Sequence, residues 1–263
     1  MINLNSLIKA TRKLDNNLDK DLNNSLNNVT TLWVDTETSG LNPYWNDMIT
    51  ACFIAERNGE IIDTCELKTQ PFSWESISKK AMEVHGISSL ELSKFDKPED
   101  VFLNEFLPFF KRNYNKKKYV LAGHNIKFDR DFINYYWGKC KGSIERITYF
   151  NLPTLDKLSS LSAWVNENMI DTMLMAKFCQ SRNITNFIDK ERNRKSVKLT
   201  VICESLGIEY NSHDAVDDII ATKIVAHRLW NLIKRNEDNL IMFQRLHPFM
   251  YNMFNGNHIK EFD

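Results

Sequence analysis

The stretch Thr31–Gly40, TLWVDTETSG, constrains this chain more than any other. Leu32, Trp33 and Val34 form a short apolar run of strand formers, and Asp35 and Glu37 stand at its end. Residues two apart in an extended segment share a face, so both carboxylates point at one spot where the strand leaves its sheet. Gly40 then breaks the run. Two carboxylates so close repel each other, and a hard divalent cation relieves that repulsion. A polar turn closed by an Asx hydrogen bond accounts for the same letters without a metal. On this stretch alone both readings stand.

The rest of the chain sets the frame. At 263 residues it suits one large domain with appendages, and 43% hydrophobic with 26% charged residues supports a sizeable core. Lys+Arg and Asp+Glu both count 34, so a coat-like polycation is excluded; an enzyme that meets nucleic acid through a local field is not. The cysteines at 52, 65, 140, 179 and 203 show no CxxC spacing, which argues against a zinc ribbon and fits free thiols in a reducing compartment. No signal-peptide pattern and no membrane-spanning apolar run is evident, so the expectation is a cytoplasmic or otherwise intracellular protein with no membrane partner.

Three regions follow from pattern. Residues 1–29 are an N-terminal, helical extension, with Leu14, Leu18, Leu22 and Leu26 on one stripe that packs on the domain or on a partner. Residues 30–233 are the main domain, and 234–263 a C-terminal helical extension. Within the domain, Met48–Ala55 and Ile61–Leu67 are strands flanking the turn Asn58-Gly59, which with the first run makes an antiparallel meander. Helices are expected over 76–84, 100–110, 155–164, 199–206 and 215–232, with Asn211 and Ser212 as N-cap residues of the last. Tyr119–Ala122 is a buried strand that feeds a helix opening at Phe128-Asp129, and Ile170-Asp171-Thr172 leads into another. A basic, aromatic insertion is expected around 138–168. Arg182–Lys198 is polar and basic: a mobile loop touching backbone phosphate, or a solvated linker.

Asp35, Glu37, Asp129 and Asp218 are four acids at the ends of expected elements, with His213 five residues before Asp218. Asp214 and Asp218 are four apart and share a helical face. Val34-Asp35-Thr36-Glu37-Thr38-Ser39-Gly40-Leu41, Val84-His85-Gly86-Ile87, His124-Asn125-Ile126-Lys127-Phe128-Asp129 and His213-Asp214-Ala215-Val216-Asp217-Asp218 resemble, in order, the motifs of the DnaQ-like 3′→5′ exonucleases of the DEDD group, histidine subclass. The resemblance spans about residues 30 to 230.

It implies a ribonuclease H-like α/β fold with a mixed central sheet, its first three strands antiparallel, flanked by helices. It makes Asp35, Glu37, Asp129 and Asp218 ligands of two Mg²⁺ or Mn²⁺ ions and His213 the general base, releasing nucleoside 5′-monophosphates from single-stranded or unpaired 3′ ends. Thr36, Thr38, Leu41, His85, Gly86, Ile87, Asn125 and Phe128 fall at the substrate, Phe128 alternatively packing beneath Asp129. His124, Asp171 and Asp214 fall to supporting roles. The expected partner is a nucleic-acid 3′ end, DNA ahead of RNA. An exoribonuclease and a catalytically silent subunit of a replication or repair complex are the rivals, and a polymerase partner or a homodimer stays open.

Overall fold

The structure, a computed structural model, describes residues 29–148, 159–211 and 214–255. The leucine stripe at 14, 18, 22 and 26, His213, Ser212, the 149–158 segment and the last residues from 256 lie outside the described residues.

A five-stranded sheet forms the middle layer. β1 (Thr30–Thr38), β2 (Met48–Arg57) and β3 (Glu60–Lys68) make the expected antiparallel meander, each strand longer than its apolar run. Asn58 and Gly59 both take positive φ, 53° and 80°, as a two-residue hairpin with right-handed twist requires. β4 (Val120–Gly123) joins β1 in parallel, and β5 (Ile170–Asp171) joins β4.

Helices cover both faces. α1 (Lys79–His85) and α2 (Ser89–Leu92) follow the meander. α3 (Pro98–Val101), a π-helical turn at Phe102–Phe106 and α4 (Leu107–Asn113) then run end to end. Pro108 accounts for the π turn. It lacks an N–H and crowds the carbonyl four residues back, and the wider turn, with the Leu107 N–H bonded to the Phe102 carbonyl, absorbs the misfit. α5 (Ile126–Thr148) passes straight through the start of the region expected to be an insertion. Gly138 and Gly142 cost a helix about 1 kcal/mol each. Trp137, Cys140 and Ile144, however, keep helical spacing and are all buried, which outweighs that cost. Where a helix was expected over 155–164, the described part holds only the 3₁₀ turn Leu161–Ala163.

α6 (Thr172–Ser181) leaves β5. Within the basic segment, Ile188–Asp189 (β6) and Arg194–Lys195 (β7) pair as an antiparallel hairpin. α7 (Leu199–Leu206) stops at Gly207, whose φ of +63° a side chain would resist. α8 (Ala215–Ile233), α9 (Glu237–Leu246) and α10 (Pro248–Asn255) complete the chain. The N-cap of α8 is Asp214 rather than Asn211 or Ser212, because its carboxylate accepts from the Val216 and Asp217 amides.

The period of β1 divides the core. Leu32 and Val34 face one layer with Phe53, Phe102, Phe106 and Trp137. Trp33 faces the other with Ile54, Phe178, Trp230 and Phe254. α9 and α10 therefore share the core of α6 and α8. The odd face of β1 is also pinned by charge: buried Glu56 accepts from Trp33 Nε1 at 2.7 Å and lies 3.1 Å from Lys223 Nζ on α8. No helix among the described residues is long and apolar enough to cross a membrane.

Candidate active site

Asp35 and Glu37 continue the odd face of β1 beyond Trp33, opposite Cys52 and Thr50 of β2. They therefore emerge toward α8, on the side from which Asp218 approaches. The ladder slips between Glu37 and Thr38, ending the regular pairing where the acids emerge. Gly40 is needed by close approach: a Cβ there would sit 2.5 Å from the Asn46 side chain, whose amide donates to the Ser76 carbonyl at 2.7 Å.

Thr36 points to the opposite face, and that placement recruits Asp129. The Thr36 amide and hydroxyl both donate to Asp129 Oδ1, at 3.0 and 2.7 Å. Asp129 comes from the first turn of α5, reached through a tight exit from β4 in which Asn125 adopts a left-handed φ of 62°. The Asn125 amide donates to Asp171 Oδ1 at 3.1 Å, and the same oxygen caps α6 through Met173. His124 is fixed beside this turn. Its Nε2 donates to the Val197 carbonyl at 2.8 Å, so its Nδ1 accepts from Thr172 Oγ1 at 2.8 Å. Burial holds its pKa below the usual histidine value, partly offset by that carbonyl. His124, Asp171 and Asp214 each make hydrogen bonds that hold a turn or a helix start.

The four acids converge electrostatically. Burial raises the Asp35 carboxyl well above the ordinary range, and Asp129, then Asp218, then Glu37 raise it further. Burial likewise raises Asp129 to about 7, with the Thr36 hydrogen bonds opposing. Asp35, Glu37 and Asp218 line one cavity of about 620 Å³ with Asn125, Tyr210 and the strip Ser196–Thr200. Among the described residues no three carboxylate, histidine or cysteine side chains close into a finished metal-ligand set. The donor set nevertheless suits a hard divalent ion: it offers oxygens only, and the neighbours acting most strongly on buried Asp35 are all acids.

A second cavity of about 510 Å³ adjoins Glu37 and is mainly apolar, lined by Leu41, Ala81, Val84, His85 and Phe128. Phe128 is half-buried at its edge, its ring 4.8 Å from buried Phe132, so it is a wall of the cavity and not core. Leu41 is 80% exposed. Ile87 lines a neighbouring cavity with Glu37, His85 and Asp214, and Gly86 ends α1 in a left-handed cap. The hydroxyls of Thr36 and Thr38 are engaged internally, Thr38 with the Gly40 carbonyl at 2.7 Å.

Sequence reasoning missed Tyr210 and Lys198 as cavity-lining groups. Their only signal is nearness to His213 and to a helix start.

A five-stranded mixed sheet covered by helices on both faces has the ribonuclease H-like α/β architecture. The family described as Exonuclease (RNase_T) matches residues 32–226. The chain belongs to that family, in its DnaQ-like 3′→5′ branch of the histidine subclass. A DNA polymerase III PolC-type protein of Halalkalibacterium halodurans is 28% identical over 225 residues, 85% of this chain but 12% of that protein. The counterpart in Thermotoga petrophila is 26% identical over 209 residues, 79% of this chain and again 12% of the relative. The chain thus spans only a small part of the curated relatives it matches. The structure of E. coli exonuclease I in complex with a dT13 oligonucleotide superposes with a TM-score of 0.60 at 19% identity, covering 84% of this chain and 45% of that one. At that identity the likeness speaks to fold.

Proposed function

We propose that this chain removes nucleoside 5′-monophosphates from unpaired 3′ ends of DNA. The observation that carries the reading is the meeting of Asp35, Glu37 and Asp218 on one cavity, with Asp129 pressing on the buried Asp35 carboxyl and Glu37 shared with the adjoining apolar cavity. Divalent ions, Mg²⁺ or Mn²⁺, held by Asp35, Glu37, Asp129 and Asp218 would supply a low-pKa water and neutralise charge on the scissile phosphate.

The remaining work falls to the chain itself. The apolar cavity walled by Leu41, Val84 and Phe128 takes the terminal nucleoside, because bases stack on such surfaces without regard to sequence. His85 lines the same cavity. The Thr36 hydrogen bonds aim Asp129 and favour its ionised form against the effect of burial. His213, by its place in the motif, takes the proton of the attacking water, a task suited to a side chain titrating near neutrality. DNA is favoured because exonuclease I, the structural neighbour, is described with oligodeoxynucleotides and the sequence relatives are DNA polymerases. The same relatives favour a polymerase as the partner that delivers frayed 3′ ends.

The test is a gel assay on 5′-labelled unpaired DNA and matched RNA with Mg²⁺, Mn²⁺ or chelator, beside Asp35→Asn. A ladder shortening from the 3′ end, lost in chelator and in the variant, is the expected result. Near-normal turnover by Asp35→Asn would overturn the ligand role. Faster shortening of RNA would move the substrate to RNA.

A further inference from the structure

We infer that the β6–β7 hairpin is a phosphate-gripping arm for the substrate strand upstream of its 3′ end. The inference rests on the exonuclease reading and assigns a second contact region to the same substrate.

The hairpin is built to hold a fixed place. Phe187, at its root, is fully buried in the core shared by α6 and α8. Gln180 Nε2 on α6 donates to the carbonyls of both Phe187 and Ser196, at 3.3 and 2.9 Å, so one side chain clamps the two strands where they leave the domain. The Ser196 amide donates to the Phe187 carbonyl, and the next carbonyl, Val197, is held by His124. Asp189, itself buried, accepts the Arg192 amide and shapes the turn. A root with this many partners does not wander.

The outer part of the arm has the opposite character. Arg192, Arg194 and Lys195 are exposed and form no ion pair among the described residues, while Lys190 is matched to Glu204 of α7. The exposed acid among them is Glu191. In a chain whose formal net charge is zero, this is a local positive field and not background. Directly after the hairpin, Ser196–Thr200 forms a wall of the cavity that contains Asp35, Glu37 and Asp218. A strand whose terminal phosphodiester lies at those acids must leave the cavity past its walls, and this wall leads to three cations without an ion pair among the described residues. Backbone phosphates suit them: the grip is electrostatic, independent of sequence and compatible with a strand that slides as its end is shortened.

The test compares the wild type with Arg192→Gln/Arg194→Gln/Lys195→Gln and with the charge-conserving Arg192→Lys/Arg194→Lys/Lys195→Arg. The side chains are solvated, so melting temperatures should agree and folding is checked directly. Binding of fluorescent oligo-dT by anisotropy, in chelator, isolates the arm from the chemistry. The neutral variant should bind about tenfold or more weakly at low salt, with a log–log salt slope shallower by about 2, as three lost single-strand phosphate contacts imply. The charge-conserving variant should restore both. In cleavage assays KM for a long strand should rise, while turnover of a dinucleotide, too short to reach the arm, stays unchanged. Equal affinity and equal salt slope in the neutral variant would overturn the inference and leave the cations to solvent or to an acidic protein. A wild type that binds through the arm yet cleaves nothing would instead overturn the exonuclease reading alone.

Discussion

At His85 the ring's Nδ1 accepts the Ile87 amide hydrogen at 3.0 Å, which leaves the proton on Nε2. That Nε2 is buried and meets no acceptor among the described residues, and burial lowers the pKa of the ring, which favours its neutral form near pH 7. An unpartnered buried donor costs about 1–3 kcal/mol, and a substrate oxygen arriving beside Glu37 would recover it. His85→Ala should therefore raise KM by roughly tenfold, equivalent to about 1.4 kcal/mol, with a smaller change in kcat and no loss of melting temperature. Steady-state kinetics on an unpaired DNA end would measure it, and an unchanged KM would remove His85 from the substrate. The sequence shows the histidine but not its tautomer, which depends on a backbone amide brought round by the left-handed Gly86.

Among elements, the turn from β4 into α5 and the start of α6 depend on one carboxylate. Asp171 Oδ1 takes three amide hydrogens, from Asn125, Met173 and Leu174. Asp171→Ala removes an N-cap and frees the turn that aims Asp129, so it should cost about 1–2 kcal/mol in a denaturant titration. Asp171→Asn, which keeps an acceptor oxygen, should lose less; equal losses would refute the capping role. Elements of this kind were legible where local chemistry decides them. Asn58-Gly59 announced a hairpin, Gly207 ended a helix, and the run before Asp35 became the central strand. They were not legible where distant packing decides. α5 runs past two glycines because Trp137 and Ile144 find partners on α4 and the sheet. The β6–β7 hairpin forms because Phe187 and Gln180 anchor a stretch whose own letters are merely polar and basic. The candidate site was legible as motifs, since four acids in order need only the sequence. The engagement of Thr36 with Asp129 was not, because it needs the period of a strand and the first turn of a helix in register.

At the scale of the whole molecule, the same charges that make the site work against the fold. One burial is compensated: Lys223 on α8 neutralises Glu56 on β2, and Lys223→Ala should cost about 3–5 kcal/mol by stranding that carboxylate, with Glu56→Gln/Lys223→Met recovering most of the loss in a urea titration. At Asp35 the neighbours acting most strongly are other acids. Asp35 and Asp129 have folded-state pKa values raised by burial, Asp129 to about 7, against about 3.9 for an unfolded aspartate. A raised carboxyl binds its proton more tightly when folded. Its contribution to stability is full below the unfolded value and is lost as pH rises through the folded one. In chelator, the melting temperature should therefore fall as pH climbs from about 4 to about 7. Asp129→Asn should flatten the decline. Mg²⁺ should lift the upper end, by about 2.7 kcal/mol when present at a hundredfold its dissociation constant, because ions bind the ionised carboxylates of the folded state. Melting curves across that range, with and without Mg²⁺, would measure both arms. A decline that Mg²⁺ leaves untouched would mean that the acids are merely buried together and do not form the ion site on which the proposed chemistry depends.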